Sequence, residues 1–175
     1  MMPGAVLLIL RVPESDTRGV ALRRINGRLD VSSVDERYSS LNEDAAERAF
    51  LYASQASRPL VAVQLLTSDL FHWGMCDNIL SGQAKMRFIG YVREQILNKS
   101  VETTRMLEEK SRRYDVVLEI KKIETDDPSS AALSEAAGGY DRIFIAHEKK
   151  KIFPLFKKSM GQHLRSKTSV PVVAG

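Results

Sequence analysis

With one cysteine in 175 residues, Cys76, an intrachain disulfide is impossible, and no second thiol or histidine pair at ligand spacing accompanies it. That usage is compatible with a reducing cytosol. Long hydrophobic runs are missing too. The apolar stretch from Ala5 to Leu10 falls far short of the roughly 18 residues of a membrane span. It has neither a basic leader nor a small-residue cleavage pattern, and so reads as a strand rather than a signal peptide. No Gly-x-Ser-x-Gly elbow, internal repeat, linker or low-complexity tract occurs. Excess charge of one sign is modest: 26 Lys+Arg against 22 Asp+Glu leave a net +4. The rest of the surface is balanced, unlike that of a dedicated nucleic-acid binder.

The 43% hydrophobic and 27% charged residues are ordinary for a soluble globular protein. At this length a single domain over 1–175 can bury roughly two-thirds of the surface its unfolded chain exposes, without a disulfide or a metal. "GAVLLILRV" (4–12) is a continuous aliphatic run of the kind found in a strand covered on both faces. Residues 13–42 are polar and show no sustained period, too long for a plain loop. An extra hairpin around Val20 to Ile25 and Leu29 to Val31 is expected within this insert.

"NEDAAERAFLYASQA" (42–56) predicts an amphipathic helix capped by Asn42 and broken at Arg58-Pro59, followed by the buried strand "LVAVQLL" (60–66). A long helix from about Gln83 to Tyr114 should bury Met86, Ile89, Val92, Ile96, Leu97, Val101, Met106 and Leu107. Next come a strand at 115–123, a short helix entered through Asp127-Pro128 and stopped by Gly138-Gly139, and a strand at 142–146. A helix within 152–167 and a last strand at 170–175 complete the chain. Alternation of this kind implies right-handed crossovers and a doubly wound α/β architecture with a parallel sheet.

Over residues 42–175 the order and lengths of these elements resemble those of the universal stress proteins. Three stretches carry the likeness: "DDPSSAALSEAAGGYDRIFIA", similar to the family's "GDP…aIleeA…aDLIVmG"; the "MGQHL" that begins a late helix; and the terminal "TSVPVVAG", similar to "cPVLVV". The insert at 13–42 has no counterpart. The resemblance implies an adenine nucleotide alpha hydrolase-like fold, with five parallel strands in the order 3-2-1-4-5. It also implies a homodimer formed partly through the last strand, here Val170, Pro171, Val172 and Val173. An edge strand entered by a proline is suited to such pairing.

In one branch the family binds ATP where the strand order reverses, which is also where open α/β sheets generally hold ligands. Here that crevice would be lined by Val12, Pro13 and Glu14 on one side and by Ala146, His147, Lys149 and Lys151 on the other. The ATP-binding branch carries Gly-x2-Gly-x9-Gly-Ser/Thr, whose glycines bring backbone N–H groups against the phosphates. Aligned from "RIFIA", the first two glycine positions hold Ala146 and Lys149; aligned back from Gly161, they hold Glu148 and Lys151. Gln162 follows Gly161 in place of the hydroxyl residue. The family's aspartate after the first strand has no equivalent, since Asp16 comes too late, and the glycine of the "GDP" turn is Asp126.

These departures argue for a regulatory, non-enzymatic module that requires no cofactor and acts through protein contacts. The alternative is a nucleotide binder, for ATP or AMP, in which Lys149, Lys150 and Lys151 neutralise phosphates as point charges. Phe153 and Phe156 could stack on bases, but they alternate with Ile152 and Leu155 and read as helix anchors, so nucleic acid is not an expected partner. His72 and Cys76, one helical turn apart, supply only two ligands and make no zinc site. "LSGQAK" follows the wrong strand to be a pyrophosphatase loop.

Overall fold

The computed structural model describes residues 4–12, 23–25, 28–30, 36–67, 82–146 and 160–174. Its centre is β1 (Val6–Val12), whose aliphatic run lets both faces of the strand be covered. Val6, Leu8 and Leu10 pack against Ala45, Ala46, Ala49, Phe50 and Ala53 of α1 (Glu36–Gln55) and Leu107 of α2 (Gly82–Tyr114). Leu7 and Ile9 point the other way, to Ala132 and Ala136 of α3 (Pro128–Ala136) and Met160 and Leu164 of α4 (Met160–Lys167). Each fully buried Leu or Ile is worth about 1.5–3 kcal/mol. This double layer is the main source of stability.

Around β1 stand β4 (Leu60–Thr67), β5 (Leu118–Thr125), β6 (Arg142–Ile145) and β7 (Val172–Ala174), all parallel, in the order β5-β4-β1-β6-β7. Counting these five along the chain gives the expected 3-2-1-4-5, doubly wound, with α1 and α2 on one face and α3 and α4 on the other. Within the insert, β2 (Arg23–Ile25) and β3 (Arg28–Asp30) form a separate antiparallel pair, as anticipated. Asn26-Gly27, the residues between them, is the dipeptide that two-residue hairpin loops favour.

Three boundaries and faces differ from the sequence reading. α1 begins at Glu36, so Asn42 is an interior helical residue and not its cap. Its Nδ2 instead donates to the Arg11 carbonyl oxygen at 3.1 Å, tying the helix to the end of β1. That tertiary bond offsets the few tenths of a kcal/mol that an interior asparagine costs a helix. Asp115 adopts a left-handed φ of 52° and Val116 N–H bonds back to the Ser111 carbonyl at 3.1 Å, so β5 starts at Leu118 rather than at 115.

The third difference is the buried face of α2. Ile96 and Leu107 are inside and Met106 packs against the core, but Met86, Leu97 and Val101 are 69%, 47% and 62% exposed. Ile89 and Val92 have side chains outside the described residues. The helix buries Ile96, Ser100, Thr103, Leu107 and Lys110, at alternating steps of four and three. Most of that face is polar, and each polar group has a partner. Ser100 Oγ donates to Gln64 Oε1 at 2.7 Å, Thr103 Oγ1 to the Lys99 carbonyl at 2.9 Å, and Lys110 Nζ to Glu47. Satisfied polar groups can be buried at little cost. A search for apolar periodicity passes over them.

Candidate functional site

The strand order reverses between the first and fourth main strands, so the carboxyl ends of β1 and β6 mark the switch point of the sheet. Val12 is 1% exposed there and Ala146 5%. The last rung joining the two strands is Ile9 with Ile145, while Val12 lies level with Leu66 of β4, so β1 runs past the end of β6. Val12, Leu66 and Ile96 form a small apolar cluster at this level. The carboxyl end of β1 is thus covered by hydrocarbon on its β4 side.

Gly161 is buried in the first turn of α4, between Met160, which packs into the core on the α3 and α4 face, and the exposed Gln162. Asp126, exposed, follows β5 and is separated from β1 by the whole of β4, two strand spacings or about 10 Å. Val12 and Ala146 thus stand at the ends of the two strands that flank the switch point, with Val12 beyond the last rung, Gly161 stands on one face of it, and Asp126 is set apart. Pro13, Glu14, His147, Lys149 and Lys151 lie outside the described residues, as do His72 and Cys76. Among the described residues no cluster of His, Cys, Asp and Glu could hold a metal ion.

The sequence reading treated Asp127 only as the entrance to α3, and the structure gives it a fuller part. Its Oδ1 accepts the N–H groups of Ser129 and Ser130, each at 3.1 Å, and its Oδ2 the Ser130 hydroxyl at 2.7 Å. The Ser130 hydroxyl, the two backbone bonds and the nearby His163 hold the Asp127 carboxyl below its usual range. A carboxylate already fills the anion position at this helix N-terminus. Its signal in the sequence was the Asp-Pro-Ser-Ser run itself.

Below the switch point lies a buried polar chain that the sequence reading missed. Gln64, wholly buried in β4, accepts from Ser100 and donates through Nε2 to Thr104 Oγ1 at 3.0 Å. The one hint was a glutamine inside "LVAVQLL". Farther down, Glu47 of α1 accepts from both Lys110 and Tyr114 of α2. Those bonds, Lys110 foremost, lower the Glu47 pKa, and the one to Glu47 raises that of Tyr114.

At the far side of the sheet, β7 is an edge strand. Pro171 and Val170 precede it, Val172 and Val173 lie within it, and its residues are half-buried. Ile143 N–H donates to the Pro171 carbonyl at 3.0 Å, which turns residues 171 and 173 toward β6 and aims the Val172 carbonyl outward. Arg165 Nε donates to that outward carbonyl at 3.3 Å.

No protein-family model and no curated protein sequence matches this chain. Solved structures do match it in fold. A universal stress protein family member from Burkholderia pseudomallei superposes with a TM-score of 0.53 at 15% identity, over 97% of this chain and 94% of its own. The universal stress protein UspA from Lactobacillus plantarum gives 0.54 at 11% identity, over 98% and 97%. A universal stress protein in complex with cAMP gives 0.55 at 11% identity, over 97% and 95%. Nearly the whole chain therefore has the universal stress protein fold.

Proposed function

We propose that this chain is a cytoplasmic, homodimeric regulatory module of the universal stress type, a single unit over 1–175 that has given up the backbone phosphate cradle. The observation carrying the reading is the exit from β6. Buried Ala146 leads into His147-Glu148-Lys149, where the nucleotide-binding branch needs glycines to bring N–H groups against phosphate. Such a module acts through protein contacts, pairing with its own twofold mate along Val170 to Val173.

A second reading is favoured by the neighbour that holds cAMP and by the run Lys149 to Lys151. In it an adenine nucleotide enters the same crevice and the lysines carry the phosphate charge. The thermal melt separates the two, measured with and without saturating Mg-ATP, Mg-ADP, AMP and cAMP. Ligand at a hundredfold its dissociation constant adds about 2.7 kcal/mol, or roughly 5–10 °C for a chain of this size. An unchanged melt with all of these nucleotides is expected. A rise that disappears on replacing Lys149, Lys150 and Lys151 by alanine establishes the second reading instead.

A further inference from the structure

The misplaced apolar residues of α2 form a pattern. At 100° per residue, Met86, Gly90, Arg93, Leu97 and Val101 fall within a stripe about 80° wide. Among the described residues, Met86, Leu97 and Val101 are the large apolar side chains exposed on α2, and a Cβ placed on Gly90 would meet no atom within 4 Å. Arg87 and Glu94, both exposed, stand two turns apart along one flank of the stripe. Arg93, on the other flank, is already beside Glu124 of its own chain at 3.8 Å. The buried face, from Ile96 to Lys110, looks about 100° away from this stripe.

We propose that this stripe is a self-docking surface that takes α2 of a second copy in antiparallel orientation. The charge order argues for that occupant. A twofold axis perpendicular to two antiparallel helices keeps like flanks together and reverses direction, so Arg87 of each copy meets Glu94 of the other. The midpoint of that pairing falls beside Gly90. The residue at the point of closest approach is then the one with no side chain, and the backbones can come together there. In the same register Met86 lies within a turn of Leu97 of the second copy. Val101 lies beside the opposing Gly82, another position with open space around it. In a parallel arrangement the twofold runs along the helices and puts like flanks on opposite sides of the contact, so Arg87 of one copy and Glu94 of the other would not meet. This contact goes beyond the edge-strand pairing proposed above and uses a different face, so the two together would build assemblies larger than a dimer.

The test is sedimentation velocity on the full chain over a wide concentration series, with charge reversals. Arg87→Glu or Glu94→Arg alone should raise the concentration of half-association roughly tenfold. The double variant R87E/E94R should restore it, and so should mixing the two single variants. In a Cys76→Ser background, Gly90→Cys should cross-link to itself on mild oxidation. Circular dichroism on each variant verifies the fold, and all three positions are exposed. A protein that is monomeric throughout overturns the proposal. So does association that ignores the charge swaps while the Gly90→Cys variant stays uncross-linked; that outcome would place the interface elsewhere, with the edge strand as the candidate.

Discussion

Two single residues close the long helices in a conformation that side chains dislike. Ser57 after α1 and Asp115 after α2 both have φ of 52°. In each case the next N–H reaches back to a helical carbonyl, Arg58 to Ala53 at 2.9 Å and Val116 to Ser111 at 3.1 Å. This is the Schellman closure, and its left-handed position is most often glycine. A non-glycine residue costs about 1–2 kcal/mol there, less for Asp than for Ser, while glycine costs more unfolded-state entropy. Ser57→Gly and Asp115→Gly should each stabilise the protein by about 0.5–1 kcal/mol, Ser57→Gly the more. Urea midpoints decide this, and a loss of stability at Ser57 would refute it. The same residues show why strand and helix ends were harder to read than their middles. Pro59 marks the end of α1 in "QASRP", but nothing in "RRYDVV" marks the left-handed turn that these local backbone bonds close.

Whole elements were legible in proportion to how uniform their surroundings are. β1, β4 and β6 are covered on both faces, so their aliphatic runs announced the strands and the parallel sheet, whereas the strand order and its switch point were implied only by the family resemblance. α2 misled because its inward face is polar and paired, whereas its exposed stripe carries Met86, Leu97 and Val101. Asn42 misled because a cap and a tertiary hydrogen-bond donor look alike in sequence. The two sheet edges are also managed differently. β5 carries Glu119, Lys121, Lys122 and Glu124, with Lys121 held by Glu135 at 3.2 Å, and charge of that density discourages pairing. β7 is apolar, and its protection is the Arg165 guanidinium on the outward Val172 carbonyl. Arg165→Ala should therefore strengthen any pairing along Val170 to Val173, by about fivefold for each carbonyl released, with the monomer's own stability little changed. Equilibrium sedimentation of the variant measures it. Weaker or unaltered association would show that the arginine does not guard this edge.

At the scale of the molecule, the titrating groups that tie its layers together bound the pH range in which it is stable. Glu47 joins α1 to α2 through Lys110 and Tyr114, and Asp127 fixes the start of α3. Both carboxyls have folded pKa values below their ordinary 4.5 and 3.8. Their contributions are complete above those values and are lost as pH falls through the folded ones. Tyr114, bonded to Glu47, and Lys121, bonded to Glu135, are raised above 10.0 and 10.5. Those contributions hold below the ordinary values and vanish as pH climbs through the folded ones. Stability against urea should accordingly be flat between about pH 5 and pH 10 and fall on both sides. Glu47→Gln should lower the plateau and make the acid limb shallower, because the substituted amide no longer releases a proton that folding favours losing. The alkaline limb should change as well, since Tyr114 loses the carboxylate that raises its pKa. An acid limb in Glu47→Gln as steep as in the parent would mean that acid unfolding is governed elsewhere, with the Asp127 cap as the next group to replace.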